Sequence, residues 1–223
     1  MPAFLDVVGT LVWKDLLSES RTKDVLSTGV AFALLVLVML NFAIDLGAEN
    51  VEAVAPGVLW VSFIFAGTLG IGHAFAAERD RGTFEGLLLA PIDRGAIYLA
   101  KVATNVALMG IVELVSLPIF AVLYNVSPAW LQTLSAMALG TIGFSAVGTL
   151  VAAIAANTRA RELMLPLLLF PLEVPVVIAS VKATAAAMGA AEADSLPWLQ
   201  LLVGFDVMLV AASFLVFEYV VEE

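Results

Sequence analysis

The side chains best suited to engaging a binding partner are crowded into residues 78–91. Five of the thirty Asp, Glu, Lys and Arg residues fall within eight positions there, and Phe84 and three leucines stand among or just after them. Ion pairs fix the register of a contact and exposed apolar side chains supply buried area, so this mixture is typical of a protein interface. The predicted contact residues are Glu78, Arg79, Asp80, Arg81, Gly82, Thr83, Phe84, Glu85, Leu87, Leu88 and Pro91.

The same segment has its own helix signals. Residues 78–81 extend a preceding apolar helix, and Gly82 with Thr83 is expected to stop or bend it. Residues 83–89 then predict a short amphipathic helix, which Pro91 closes. The alternative is a leucine-rich turn that lies back on a membrane surface.

Four further polar residues lie where a membrane-spanning helix is predicted. They are Glu113, Glu173, Asp206 and the only histidine, His73. Ionisable groups inside a membrane are costly and usually face the bundle interior or a partner. Glu113 and Glu173 are therefore expected to line a transport path or contact a partner helix, or else to be protonated or hydrogen-bonded packing residues. His73 is expected to face the bundle or the membrane interface.

Several reaction chemistries are absent from the sequence. It contains no G-x-x-x-x-G-K-[ST] phosphate loop, no H-E-x-x-H and no G-x-S-x-G motif. One histidine and no cysteine exclude a thiolate metal site, a bis-histidine haem site and covalent haem attachment. We therefore expect a non-enzymatic chain with no catalytic residue, no metal site and no cofactor held by this chain alone.

The elements that position these residues are predicted to be membrane helices. The chain is 62% hydrophobic and only 13% charged, and a span needs about 20 mainly apolar residues. The sequence therefore predicts an all-α membrane protein, with a single transmembrane domain over residues 1–223. Its six spans are expected at roughly 26–46, 56–77, 97–124, 129–156, 163–181 and 196–220.

Basic residues predict the orientation of these spans. Nine of the ten Lys and Arg residues lie before the first span or in or beside the second and fourth connections, and only Lys182 lies on the other side. The positive-inside rule therefore puts both termini and residues 78–96 in the cytoplasm. Before the first span, Leu5, Val8, Val12 and Leu16 share one helical face, which predicts a helix lying in the membrane interface. The alternative is a slightly longer first span.

The pattern Glu-Arg-Asp-Arg-Gly-Thr-Phe-Glu-Gly-Leu-Leu-Leu-Ala-Pro at 78–91 resembles the loop after the second helix of ABC-2-type permeases. The resemblance is closest to the haem exporter B (CcmB) family, and it covers about the whole chain in order. Its other matching segments are 13–16 with 21–23, 56–60, 92–101, 113–118 and 161–171.

This resemblance implies a permease subunit of the cytochrome c maturation ABC transporter in the cytoplasmic (inner) membrane. It implies that a separate ATP-binding subunit docks on 78–91 and hydrolyses ATP. The implied further partners are a haem-handling membrane protein and a small helical subunit, in a homodimer or hetero-oligomer, with haem as cargo of the complex. With haem as cargo, His73 gains an alternative role as a transient haem ligand, over which a place in the bundle or at the interface is favoured. The alternatives are an ABC-2 permease for a lipid, polysaccharide or drug, a secondary transporter, and a purely structural assembly subunit.

Overall fold

The chain folds into helices joined by short connections. A computed structural model describes residues 3–44, 51–80, 82–127, 129–156, 158, 161–189 and 194–221. Within these ranges there are eight helices and no strand, which confirms the all-α prediction. The helices are α1 (Phe4–Thr22), α2 (Asp24–Ala43), α3 (Val51–Asp80), α4 (Thr83–Leu89), α5 (Arg94–Leu123), α6 (Trp130–Ala156), α7 (Arg161–Ala187) and α8 (Leu196–Val220).

Six of these helices are long and apolar enough to cross a membrane, as predicted. They are α2, α3, α5, α6, α7 and α8. The predicted bounds differ from the observed spans by at most three residues, except at the end of the fifth. That span continues to Ala187 rather than stopping at 181. Lys182 lies on an exposed position of α7, and a long lysine side chain near a helix end can reach the interface without ending the helix.

Helix α1 is separate from the first span. Lys23 adopts a left-handed conformation with φ 59°, and its N–H donates to the Glu19 carbonyl at 2.7 Å. The Glu19 carboxylate in turn accepts from the backbone N–H of Leu26 at 2.8 Å, which caps the start of α2. The alternative of one longer first span is therefore wrong, while the position of α1 at a membrane surface stays a prediction.

The described chain has four buried apolar clusters, and the two largest hold the two ends of the bundle together. The inner cluster joins the ends of the spans nearest α4 and is centred on Phe75, Tyr98, Phe144, Leu169 and Phe217. The outer cluster lies at the opposite end. Its largest members are Leu59, Trp60, Phe63, Phe120 and Tyr124.

Helix α6 lies at the centre of the bundle because it combines small residues with an uncharged sequence. A Cβ on Gly140 would collide with Trp60 and Ser180, and a Cβ on Gly67 of α3 would lie 2.5 Å from Phe144. Small residues let helices approach closely, and close packing drives helix association in lipid. Hydrogen bonds between side chains add to it, for example Asn105 Nδ2 to Thr149 Oγ1 at 2.9 Å. Each such bond stabilises a membrane bundle by about 0.6 kcal/mol.

Candidate functional site

The segment between the second and third spans is a helix, a turn and a second short helix. Helix α3 runs without interruption from the span to Asp80. Gly82 then adopts φ 66°, a left-handed conformation that glycine reaches without a Cβ penalty. Helix α4 starts at Thr83, and the N–H of Gly86 donates to the Gly82 carbonyl at 3.2 Å. The predicted break at Gly82 and the predicted short helix are both confirmed.

Helix α4 has one face turned outward and one turned into the protein. Thr83, Gly86 and Leu89, spaced three residues apart, are exposed, and Leu89 is 88% exposed. Leu87 is half-buried and packs against the inner cluster. Leu87 therefore packs between α4 and the rest of the protein, and among the described side chains of α4 the exposed apolar one is Leu89. The contact residues predicted from sequence did not include Leu89, although its three-residue spacing from Gly86 could have identified it.

All five charged contact residues fall outside the described side chains. Arg81 lies outside the described residues, as do the side chains of Glu78, Arg79, Asp80, Phe84, Glu85 and Leu88. Their proposed ion pairs and apolar contacts with a partner stay a prediction. Pro91, at the end of the segment, is exposed and follows Ala90 in an extended conformation.

The connection from α4 to α5 is anchored on the last span. The Asp93 carboxylate accepts from the N–H of Gly95 at 2.7 Å and caps the start of α5. A Cβ on Gly95 would lie 2.5 Å from Phe214 of α8, so the Phe214 ring packs directly on the Gly95 backbone. One turn further, the Tyr98 hydroxyl donates to the Ala146 carbonyl at 3.1 Å. Helix α4 is therefore held at both ends by packed helices.

A polar cavity of about 270 Å³ lies behind α4. It is walled by α1, the start of α2, the end of α3, Thr83 of α4 and the first half of α5. His73 is exposed and lines this cavity, about one turn before the end of the span. It therefore lies at the end of α3 near α4, and the outer cluster lies at the other end. Across the described part of the chain, no group of three His, Asp or Glu residues is arranged to hold a metal ion.

An ion pair in this cavity ties α1 to α5. Lys101 Nζ lies 2.8 Å from Asp15 Oδ2, and both side chains are only 11% exposed. Lys14 Nζ lies 2.9 Å from the other oxygen of Asp15 but is 47% exposed. The sequence placed Lys101 beside the second connection, whereas the structure buries it two turns inside α5. The pair was missed because its members are 86 residues apart.

The structure separates the three intramembrane carboxylates into two places. Glu113 of α5 is buried and accepts a hydrogen bond from the Thr141 hydroxyl of α6. Glu173 of α7 and Asp206 of α8 are both buried, and neither has a hydrogen-bond partner within the described chain. Asp206 lies against Gly143, and Glu173 precedes by one helical turn Val176, which contacts the same glycine. Glu113 therefore fits a hydrogen-bonded packing residue. Glu173 and Asp206 do not fit that description.

Known proteins resemble this chain along nearly its full length. The family described as CcmB protein matches residues 6–221. A "Heme exporter protein B" from Rhodobacter capsulatus is 31% identical over 169 residues, covering 75% of this chain and 78% of the relative. One from Paracoccus denitrificans is 28% identical over 91% of this chain and 93% of the relative, and one from Pseudomonas aeruginosa is 26% identical over 82% and 83%.

Proposed function

This chain belongs to the CcmB protein family, and we propose that it is the membrane permease subunit of an ABC transporter that serves haem delivery in c-type cytochrome biogenesis. It is a multi-pass membrane protein of the bacterial inner membrane. The proposal takes its cargo from the relatives, which carry the name heme exporter protein B. The proposed mechanism is argued from the structure of α3 and α4.

The observation that carries the mechanism is an exposed helix joined to a continuous span. Leu89 is 88% exposed on α4, and α3 continues from the span to Asp80 next to it. Apolar area exposed on a cytoplasmic helix is typical of a protein-binding surface. The sequence has no phosphate loop of its own, so ATP hydrolysis belongs to a partner chain in this proposal.

Force applied to α4 has two routes into the bundle. The first runs through the Gly82 turn into α3, whose unbroken helix reaches the outer cluster. The second runs through Leu87, which packs on the inner cluster. Closure of paired ATP-binding subunits would push on α4, and the packed helices would move as units because close-packed cores do not deform continuously. Glu78, Arg79, Asp80, Arg81 and Glu85 are proposed to fix the register of the docked subunit.

The partners proposed beyond the ATP-binding subunit are a haem-handling membrane protein and a small helical subunit. Affinity purification of the tagged chain from mild-detergent membranes, followed by mass spectrometry, tests this directly. We expect an ATP-binding subunit and a haem-handling protein to co-purify, and deletion of the gene to abolish mature c-type cytochromes. Recovery of an ATP-binding subunit alone, with c-type cytochromes unaffected by the deletion, would instead support export of a lipid, polysaccharide or drug.

We propose that this chain holds no haem of its own, with haem as cargo of the whole complex. His73 is the only histidine, and it lies in a cavity of about 270 Å³ beside the buried Lys101–Asp15 pair. Haem iron in proteins is usually held by histidine, cysteine, methionine or tyrosine side chains aimed at it from the pocket wall. Of these residue types, His73 alone is among the described residues that line this cavity.

Replacing His73 with Ala is therefore expected to leave c-type cytochrome at the wild-type level. The measurement is haem staining of membrane proteins after complementation of a deletion strain. The matched control is His73→Gln, which keeps the polar character of the side chain. Loss of staining in both variants, with normal amounts of the chain in the membrane, would assign His73 a haem-ligand role.

A further inference from the structure

We propose that Glu173 and Asp206 form a buried proton-binding site, which exchanges its proton along a polar seam between α6 and α7. The seam runs from these two carboxyl groups to the outer end of the bundle, opposite α4. This site is separate from α4 and does not depend on the identity of the cargo.

The two carboxyl groups lie on α7 and α8, which both contact Gly143 of α6, and the charge of Asp206 acts on Glu173. Glu173 is 1% exposed and Asp206 6% exposed. The position that a Cβ of Gly143 would take lies 2.7 Å from Asp206 Oδ1 and 3.1 Å from Val176 Cγ1. Val176 follows Glu173 by one helical turn on the same buried face of α7. Three helices therefore converge on this point, and the missing side chain of Gly143 leaves room for the Asp206 carboxyl.

No basic group compensates the two carboxyl groups among the described side chains. All four of their oxygens lack a hydrogen-bond partner in the described chain. Helix α6 contributes no Asp, Glu, Lys, Arg or His, and the other acid of α8, Glu218, lies at its inner end. On α5, which packs against α8, Arg94 and Lys101 lie in the inner half, and Glu113 accepts from Thr141. On α7, Lys182 is exposed nine residues from Glu173, and on α3 the nearest titratable side chain that is described is His73 at the inner end.

Two ionised carboxylates that act on each other are unstable in such a place. A buried charge without a partner is costly, and a second charge of the same sign beside it adds repulsion. The pair therefore holds at least one proton, which belongs to both groups rather than to one. A protonated carboxyl is also a donor, so it can bond to its neighbour and satisfy oxygens that otherwise have no partner.

A line of buried hydroxyl groups leads outward from this pair. Ser180 lies two turns after Glu173, about 10 Å along the helix axis, and packs against Gly140 of α6. Its hydroxyl has no partner in the described chain. Thr184 follows one turn later and accepts from Trp60 Nε1 at 3.0 Å. The seam ends at the outer end of the bundle, where the N–H of Ala129 donates to the Ala187 carbonyl at 2.9 Å.

These hydroxyls suit proton exchange because each can donate and accept at once. Buried polar atoms without a protein partner are the usual positions of ordered water. A metal cation fits less well, since hard cations take six or more oxygen ligands, and only the two carboxyl groups are charged ligands at this point.

Infrared difference spectroscopy of the purified full chain in nanodiscs tests the proposal. We expect a protonated-carboxyl C=O band at neutral pH that shifts in D₂O. The band should be lost or altered in Glu173→Gln and in Asp206→Asn and kept in Glu113→Gln, the matched buried acid with a hydroxyl partner. A thermal unfolding midpoint close to that of the wild type shows, for each variant, that the new amide side chain is accommodated.

Two further measurements distinguish a bound proton from a bound metal cation and test the seam. Ser180→Ala should slow the D₂O shift of the band, whereas Ser62→Ala, a buried serine that bonds its own helix, should not. A band that is unchanged in both Glu173→Gln and Asp206→Asn overturns the proposal. So does disappearance of the band on addition of sodium at constant pH, because that result identifies a metal-cation site.

Discussion

Replacing Leu89 with Asp is expected to abolish association with the ATP-binding subunit while the bundle stays folded. Leu89 is 88% exposed on the outward face of α4, so its replacement removes no intramolecular packing. A carboxylate at that position would be buried without a partner on docking. Loss of a central apolar contact costs at least about 2 kcal/mol of binding free energy, or roughly a 30-fold weaker complex, and the buried charge adds to this loss.

Co-purification of the ATP-binding subunit with tagged variants measures this effect. The control is Leu131→Asp, because Leu131 is about as exposed as Leu89 but lies at the outer end, at the start of α6. Leu87→Asp is expected to lower the thermal stability of the chain itself, since Leu87 packs on the inner cluster. Wild-type recovery of the ATP-binding subunit with Leu89→Asp would show that α4 is not its docking surface.

The second large effect is expected from the ion pair between Lys101 and Asp15. Each side chain is 11% exposed. Lys101→Met removes the buried partner of Asp15 and leaves the more exposed Lys14 beside it, and Asp15→Leu removes the carboxylate that Lys101 contacts. Removing one member of a buried pair costs up to about 3–5 kcal/mol. Lys101→Met and Asp15→Leu should therefore each lower the midpoint of unfolding strongly. The double variant should recover most of the loss, because two apolar residues of similar size leave no uncompensated charge.

Lys14 provides the matched control for this double-mutant cycle, because it contacts the same Asp15 carboxylate. Lys14 also contacts Asp15, at 2.9 Å, but it is 47% exposed. Exposed pairs contribute about 0–1 kcal/mol, so Lys14→Met should change the midpoint little. Additive losses in the double variant, rather than recovery, would show that Lys101 and Asp15 stabilise the bundle through separate contacts.

The spans and the Gly82 break could be predicted because both depend on local signals. A run of apolar residues has to cross a fixed thickness, and a glycine can take the left-handed turn that ends α3. The two faces of α4 could not be predicted in the same way. In a helix of seven residues, packing against the inner cluster decides that Leu87 points inward and Leu89 outward.

The polar contacts between spans could not be predicted because they depend on how the helices align. The sequence identified Glu113, Glu173 and Asp206 as buried acids, but the assignment of Thr141 to Glu113 depends on the register of α5 against α6. The proximity of Glu173 and Asp206 likewise depends on α7, α8 and the absent side chain of Gly143. The contact between Lys101 and Asp15 could not be predicted because the two residues are 86 positions apart in the chain.

The Glu113–Thr141 contact also has a consequence for biosynthesis. Helix α5 leaves the ribosome before α6, so its glutamate reaches the membrane before the hydroxyl that it will bond exists. A polar residue at a helix centre raises the free energy of insertion, whereas α6 has no charged residue to oppose its own entry. We expect the insertion machinery to retain α5 until α6 arrives and to release the two as a hairpin.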